Sequence, residues 1–194
     1  MLFRSLSFPR LVEYQDRLYA TVESSQNQDV RLYEADLTAQ TMKLKRILLE
    51  GEHYIDPILI HHADTRWYLF VNTTSVSSLK REVAPELRLF SADDLLEDRF
   101  CEHPQSPLMI NSCGGRNAGL VRQENVYRVG QQTGYGGVYG QSIVMYRIDE
   151  LSPTTYQETP MTSLPSGFKA TKFRNRLRAS HLHTLNNDSS HTVF

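Results

Sequence analysis

Arg31-Leu32-Tyr33-Glu34-Ala35-Asp36-Leu37 returns further along the chain as Arg88-Leu89-Phe90-Ser91-Ala92-Asp93-Asp94-Leu95, and more faintly as Met145-Tyr146-Arg147-Ile148-Asp149-Glu150-Leu151. The aromatic recurs at Tyr33, Phe90 and Tyr146, in steps of 57 and 56 residues. A second echo precedes each of these, in which an apolar segment runs through a turn into an aromatic one. Pro9 to Tyr14 leads through Gln15-Asp16 to Arg17-Leu18-Tyr19, and Pro57 to His62 leads through Ala63-Asp64-Thr65 to Arg66-Trp67-Tyr68. Ala118 to Arg122 leads in the same way through Gln123-Glu124-Asn125 to Val126-Tyr127.

Each unit therefore reads as hairpin, loop, strand, loop, strand. Self-similarity at this period, with several β segments per unit, is the signature of propeller blades, whose common repeats run to roughly 40–50 residues. An ordinary β-sandwich with chance likeness between hairpins is the competing reading, and two separate echoes in one order favour the repeat. The fold class expected is all-β, a β-propeller of three blades and part of a fourth in a single domain over 1–194. The blades run over about 8–51, 55–110 and 118–161, with a partial unit over 180–194.

The expected strands of the first blade are Pro9 to Tyr14, Arg17 to Glu23, Val30 to Asp36 and Met42 to Leu49, bounded by turn-forming clusters such as Ser24-Ser25-Gln26-Asn27. In the second they are Ile58 to His62, Trp67 to Asn72, Leu87 to Ser91 and Pro107 to Ile110, with an inserted loop from Thr73 to Pro85. The third holds Val126 to Gln131, Ser142 to Ile148 and Tyr156 to Pro160, and Ser180 to Leu185 reads as the first strand of a truncated fourth. Helix is nearly absent by pattern; Asp93 to Asp98 fits one turn with acidic residues at its start.

Composition narrows the function classes. A net charge of −1 and a pI of 6.7 give no general field for nucleic acid or acidic lipid. Ten tyrosines supply residues that strands favour. The two cysteines, Cys101 and Cys113, make neither a disulfide framework nor a zinc cluster. The first residues, Met1-Leu2-Phe3-Arg4-Ser5, lack the apolar core of a signal peptide, and no run of about 18 apolar residues spans a bilayer. The expectation is a reducing, cytoplasmic setting with no integral membrane segment, no nucleic-acid partner and no cofactor.

Tyr54-Ile55-Asp56-Pro57-Ile58-Leu59-Ile60, followed by Arg66-Trp67-Tyr68-Leu69-Phe70, resembles the Asp-Pro blade start of the five-bladed propeller glycosidases of families 43 and 32. The fuller set is more similar to the N-terminal domain family of glucosamine inositolphosphorylceramide transferase and its bacterial relatives. Its signatures stand here in order as Phe8-Pro9 with Glu23, Asp56-Pro57, Arg116-Asn117-Ala118-Gly119, Arg128 with Gln131, Tyr139-Gly140 and His183-Thr184. That family places one to two further blades before Phe8, so the resemblance implies a unit incomplete relative to the closed form.

Propeller geometry brings the inner strands of all blades to one axis, so polar residues at their starts face a shared pocket. Arg10, Glu23, Asp56, Arg116, Gln131, Tyr139 and His183 are the candidates, a set suited to sugar hydroxyls and ring faces. Each polar residue alone also has a plainer role in satisfying backbone groups at a crowded channel. Hydrolysis needs two carboxyl groups across the scissile bond. The family-43 likeness implies that Asp56 orients and tunes the acid, but the acid position falls on Arg116-Asn117. The base would lie in the preceding blade. The leading expectation is a non-catalytic module that binds a carbohydrate or glycoconjugate and is associated with glycosyl transfer. One alternative is a glycoside hydrolase using Asp56 and Glu23 as catalytic carboxyls, with Arg116 and His183 holding substrate. Another is a structural module that self-associates as a homo-oligomer through uncovered blade faces.

Other constellations carry less. His61 and His62 point to opposite faces of a strand and cannot share a metal, and His181 with His183 lacks a third ligand. No metal site is expected. The glycines from Gly134 to Gly140 lack the Lys-Ser/Thr of a P-loop and fit a hairpin turn. The basic run Lys169 to Arg178 fits a solvated loop.

Overall fold

Two-residue periodicity in four successive runs, each closed by a turn, builds the first sheet from β1 (Ser7–Tyr14), β2 (Arg17–Ser24), β3 (Asp29–Asp36) and β4 (Thr41–Glu50). All neighbours are antiparallel in sequence order. Gln15 and Asp16 make the first hairpin with positive φ at both positions, the twist that primed two-residue turns need. In the computed structural model, residues 7–24, 26–73, 85–132, 142–161, 186–187 and 192–193 are described.

The second sheet repeats the plan with β5 (Tyr54–His61), β6 (Trp67–Thr73) and β7 (Glu86–Ala92), and its outer strand is split. β8 (Cys101–Glu102) pairs with the Phe90-Ser91 end of β7 and β9 (Met109–Ile110) with the Glu86-Leu87 end. The expected strand Pro107 to Ile110 is thus only the second half of that edge. The third sheet holds β10 (Cys113–Arg122), β11 (Val126–Gln132), β12 (Ser142–Leu151) and β13 (Tyr156–Pro160). β10 begins five residues before the expected Ala118. Two register shifts absorb this extra length, and Gly114 and Gly119 take φ of +107° and +143°.

Beyond the third sheet, β14 (Asn186–Asn187) lies parallel to β10 through Val121, and β15 (Thr192–Val193) pairs with β14. The described residues contain no helix, and hence none long and apolar enough to cross a membrane. At Asp93 to Asp98 the chain makes a turn, in which Asp94 Oδ1 accepts the backbone N–H of Leu96 at 2.7 Å and of Glu97 at 3.0 Å.

The sheets pack face on face with their inner strands as neighbours, β5 touching both β1 and β10. Tyr19, Leu32, Leu59, Trp67 and Leu69 fill the first interface, and Tyr68, Phe70, Leu89 and Leu120 fill the second. A third apolar set, Ala118, Val121, Tyr127, Val129 and Met145, lies on the far side of the last sheet and is buried. The opposite face of the first sheet differs: Leu11, Ala20, Tyr33 and Leu44 form one cross-strand row, and Leu11 is 55% and Leu44 45% exposed. The molecule is all-β, a partial propeller, as the repeats predict.

Candidate functional site

The site begins with local backbone. β1 and β5 are each bulged where a residue precedes proline, at Phe8-Pro9 and Asp56-Pro57, and both residues sit in the left-handed region at φ of 52° and 51°. Neither the pre-proline position nor an L side chain favours that conformation, so the surrounding contacts must hold it. At Asp56 they are visible. Its N–H donates to Glu23 Oε2 from the preceding sheet, and its carbonyl accepts from Asn117 Nδ2 of the following sheet at 3.1 Å.

Its carboxylate meets Arg116 across the same gap, with Nε to Oδ2 at 2.6 Å. The acid is 3% exposed, whereas the Arg116 side chain keeps 24% of its surface in solvent. Burial pushes the Asp56 carboxyl up to about 6, against the pull of the Arg116 charge and hydrogen bond, and nearby Glu23 adds to the rise. Three strands from three sheets therefore converge on one ionisable group whose charge state changes between mildly acidic and neutral pH.

Gln131 lies opposite Arg116 on β11 and is 1% exposed, so it belongs to the same wall. Arg10 is placed differently. It pairs across β1 with Thr21, and its pKa falls to about 10 through burial first and the Arg122 charge second. Arg122, whose like charge bears on it, ends β10. Tyr139 and His183 lie outside the described residues, as do His181, the glycines at 134–140 and the basic run at 169–178.

Two asparagines complete the wall and were not picked out as site residues by sequence reasoning. Asn72, fully buried at the end of β6, accepts the Asn117 N–H at 2.7 Å and donates to Gly115 O at 2.8 Å. Asn117 is also fully buried, and its Oδ1 has no hydrogen-bond partner among the described residues, an uncommon condition for a buried acceptor. Aligning the repeats strand by strand, rather than by the aromatic echo alone, was the signal that points to both.

Several polar groups elsewhere have structural partners. Arg128, fully buried, is forked onto Glu158 at 2.8 and 2.6 Å, donates to Gly114 O at 2.9 Å and lies over the Tyr146 ring. His61 stacks on Trp67 at 4.7 Å, and His62 meets the edge of Tyr68. Among the described residues no group of three or more His, Cys, Asp or Glu is arranged to hold a metal ion.

Comparison with known proteins places this geometry. The chain is 27% identical over 182 residues to glucosamine inositolphosphorylceramide transferase 1 of Oryza sativa subsp. indica, and 27% identical over 181 residues to the Arabidopsis thaliana protein of that name. The alignments cover 91% of this chain but 24% and 23% of those relatives, so it spans about a quarter of their length. Among solved structures it is similar in fold to an exo-β-1,3-galactanase of Clostridium thermocellum, with a TM-score of 0.56 and 16% identity over 77% of this chain and 33% of that one. A family 117 glycoside hydrolase of Zobellia galactanivorans gives a TM-score of 0.55 and 17% identity over 80% of this chain and 46% of that one. With the family model of the N-terminal region of glucosamine inositolphosphorylceramide transferase 1 matching residues 4–193, this chain belongs to that family.

Proposed function

We propose that this protein binds carbohydrate or glycoconjugate at the opening where the inner strands meet, as a non-catalytic module associated with glycosyl transfer. The observation that carries the reading is the Asp56–Arg116 pair, made between two sheets at 2.6 Å with the guanidinium partly in solvent. A carboxylate and a guanidinium held side by side can accept from and donate to neighbouring hydroxyls. The relatives' name, glucosamine inositolphosphorylceramide transferase 1, supports a glycoconjugate as the ligand class. The first test is glycan-array binding by the wild type and Asp56→Asn. Binding by the wild type that falls at least tenfold in the variant supports the reading, and an empty array overturns it.

A second reading, glycoside hydrolysis by Asp56 and Glu23, draws on the Asp56 carboxyl lying near 6, within the range that general acids use. Turnover of aryl glycosides that disappears in Asp56→Asn would establish it. A third, pairing of two copies, draws on the exposed Leu11, Met42, Leu44 and Ile47 of the first sheet. Sedimentation at increasing concentration separates it, since a single monomeric species throughout rules it out. A cytoplasmic setting is proposed on composition alone and is checked by fractionation.

A further inference from the structure

The three hairpins share one register. Ala20 on β2 faces Tyr33, Leu69 on β6 faces Phe90, and Arg128 on β11 faces Tyr146. Counting three residues on from each gives Glu23, Asn72 and Gln131, all close to the bulge of their own inner strand. Two of these positions make the same bond to the next sheet. Glu23 accepts the backbone N–H of Asp56, and Asn72 accepts the backbone N–H of Asn117. The recipient positions also correspond, each lying where the register of its inner strand shifts.

A carboxylate in one latch and a neutral amide in the other have a single property in common, an acceptor oxygen at the end of a side chain that crosses the gap. The shared feature is acceptance, not charge or proton donation. Asp56 needs that bond because its φ of 51°, immediately before Pro57, is a conformation an L residue does not hold by itself. A peptide plane that relaxed from it would swing the carboxylate away from Arg116.

We propose that Glu23 is a positioning residue of the axial site: it fixes the Asp56 backbone so that the Asp56 carboxylate meets Arg116, and Asn72 does the same for Asn117. The proposal rests on Asp56 and Arg116 forming the binding site, and it removes Glu23 from the role of proton donor.

Conservative variants separate the two roles. Glu23→Gln keeps reach and an acceptor oxygen but cannot donate a carboxyl proton, whereas Glu23→Asp keeps the carboxyl and loses one methylene of reach. Positioning therefore ranks Gln above Asp: glycan affinity stays within about threefold of wild type in Glu23→Gln and falls at least tenfold in Glu23→Asp. A proton donor ranks them the other way, with turnover abolished in Glu23→Gln and partly kept in Glu23→Asp, and that order overturns the proposal.

A readout that needs no ligand runs beside it, the carboxyl carbon NMR titration of Asp56. Glu23→Gln keeps the Asp56 resonance in its buried environment and lowers its midpoint, because a like charge has been removed. Glu23→Asp moves the resonance toward that of a solvated carboxyl. An Asp56 signal identical in both variants overturns the proposal even if no sugar binds, and the expected pattern without sugar binding sustains it while the binding reading fails.

Discussion

Two arginine–carboxylate pairs in this molecule have the same components and opposite surroundings. Arg128 and Glu158 lie within one sheet, on β11 and β13, with the guanidinium held along its edges by two bonds to Glu158 and one to Gly114 O, and the Tyr146 ring against one face. Burial works against the Arg128 charge, but the Glu158 bonds and charge outweigh it and hold the group above its ordinary pKa. Arg116 and Asp56 span two sheets, meet at 2.6 Å and stay a quarter open on the arginine side. There burial outweighs the partner, and the carboxyl is lifted to about 6. A buried ion pair with its valences filled is part of the framework. One in which burial outweighs the partner costs stability and marks a candidate site.

The sharpest way to break that contrast is Arg128→Met. It leaves Glu158 buried beside Tyr156 without its cation, and the expected loss is about 3–5 kcal/mol, read by chemical denaturation. A loss below about 1 kcal/mol would put the sealed pair on the same footing as the open one. Asp56→Asn comes next and runs in the other direction. The folded-state pKa of Asp56 is raised from 3.8, so the folded protein binds that proton more tightly than the unfolded chain does. Its contribution is fully present below about pH 4 and is lost as the pH rises through about 6, on the order of 2–3 kcal/mol in total. The variant should lack that slope and equal or exceed the wild type in stability at pH 7, while losing ligand. Melting temperatures from pH 4 to 7 decide it, and a wild type that gains stability on going up in pH through this window counts against the assignment.

Arg116→Ala sharpens the same comparison from the partner's side. With the guanidinium gone, Asp56 titrates higher still, visible as an upward move of its carboxyl resonance midpoint. An unchanged midpoint would mean that the 2.6 Å contact has no electrostatic weight. The smallest effect belongs to a third pair, Arg17–Glu34, whose side chains are 59% and 31% exposed. Arg17→Ala is expected to cost about 0–1 kcal/mol, with the difference vanishing in high salt.

Much of the framework was legible because strand periodicity is local. The first sheet's strands fall within one or two residues of their expected limits, since turn residues and two-residue alternation lie side by side in the chain. The outer edge of the second sheet was less legible. Two-residue strands separated by a loop carry too few side chains for a period, and only pairing with opposite ends of β7 reveals them. The convergence of Asp56, Glu23 and Arg116 follows the blade geometry that the repeats imply. Asn72 went unnoticed because an asparagine ending a strand looks like any turn former until its partner, 45 residues away, is known.

The sequence by itself determined the repeating four-stranded unit, its order and the aromatic faces that stack one sheet on the next, because these depend on spacing within a few residues and on a pattern repeated three times. Only the tertiary structure decided which polar residues are sealed into the framework and which converge on the candidate site. Arg128 and Arg116 cannot be told apart as letters. How much water still reaches each guanidinium depends on neighbours brought together by folding.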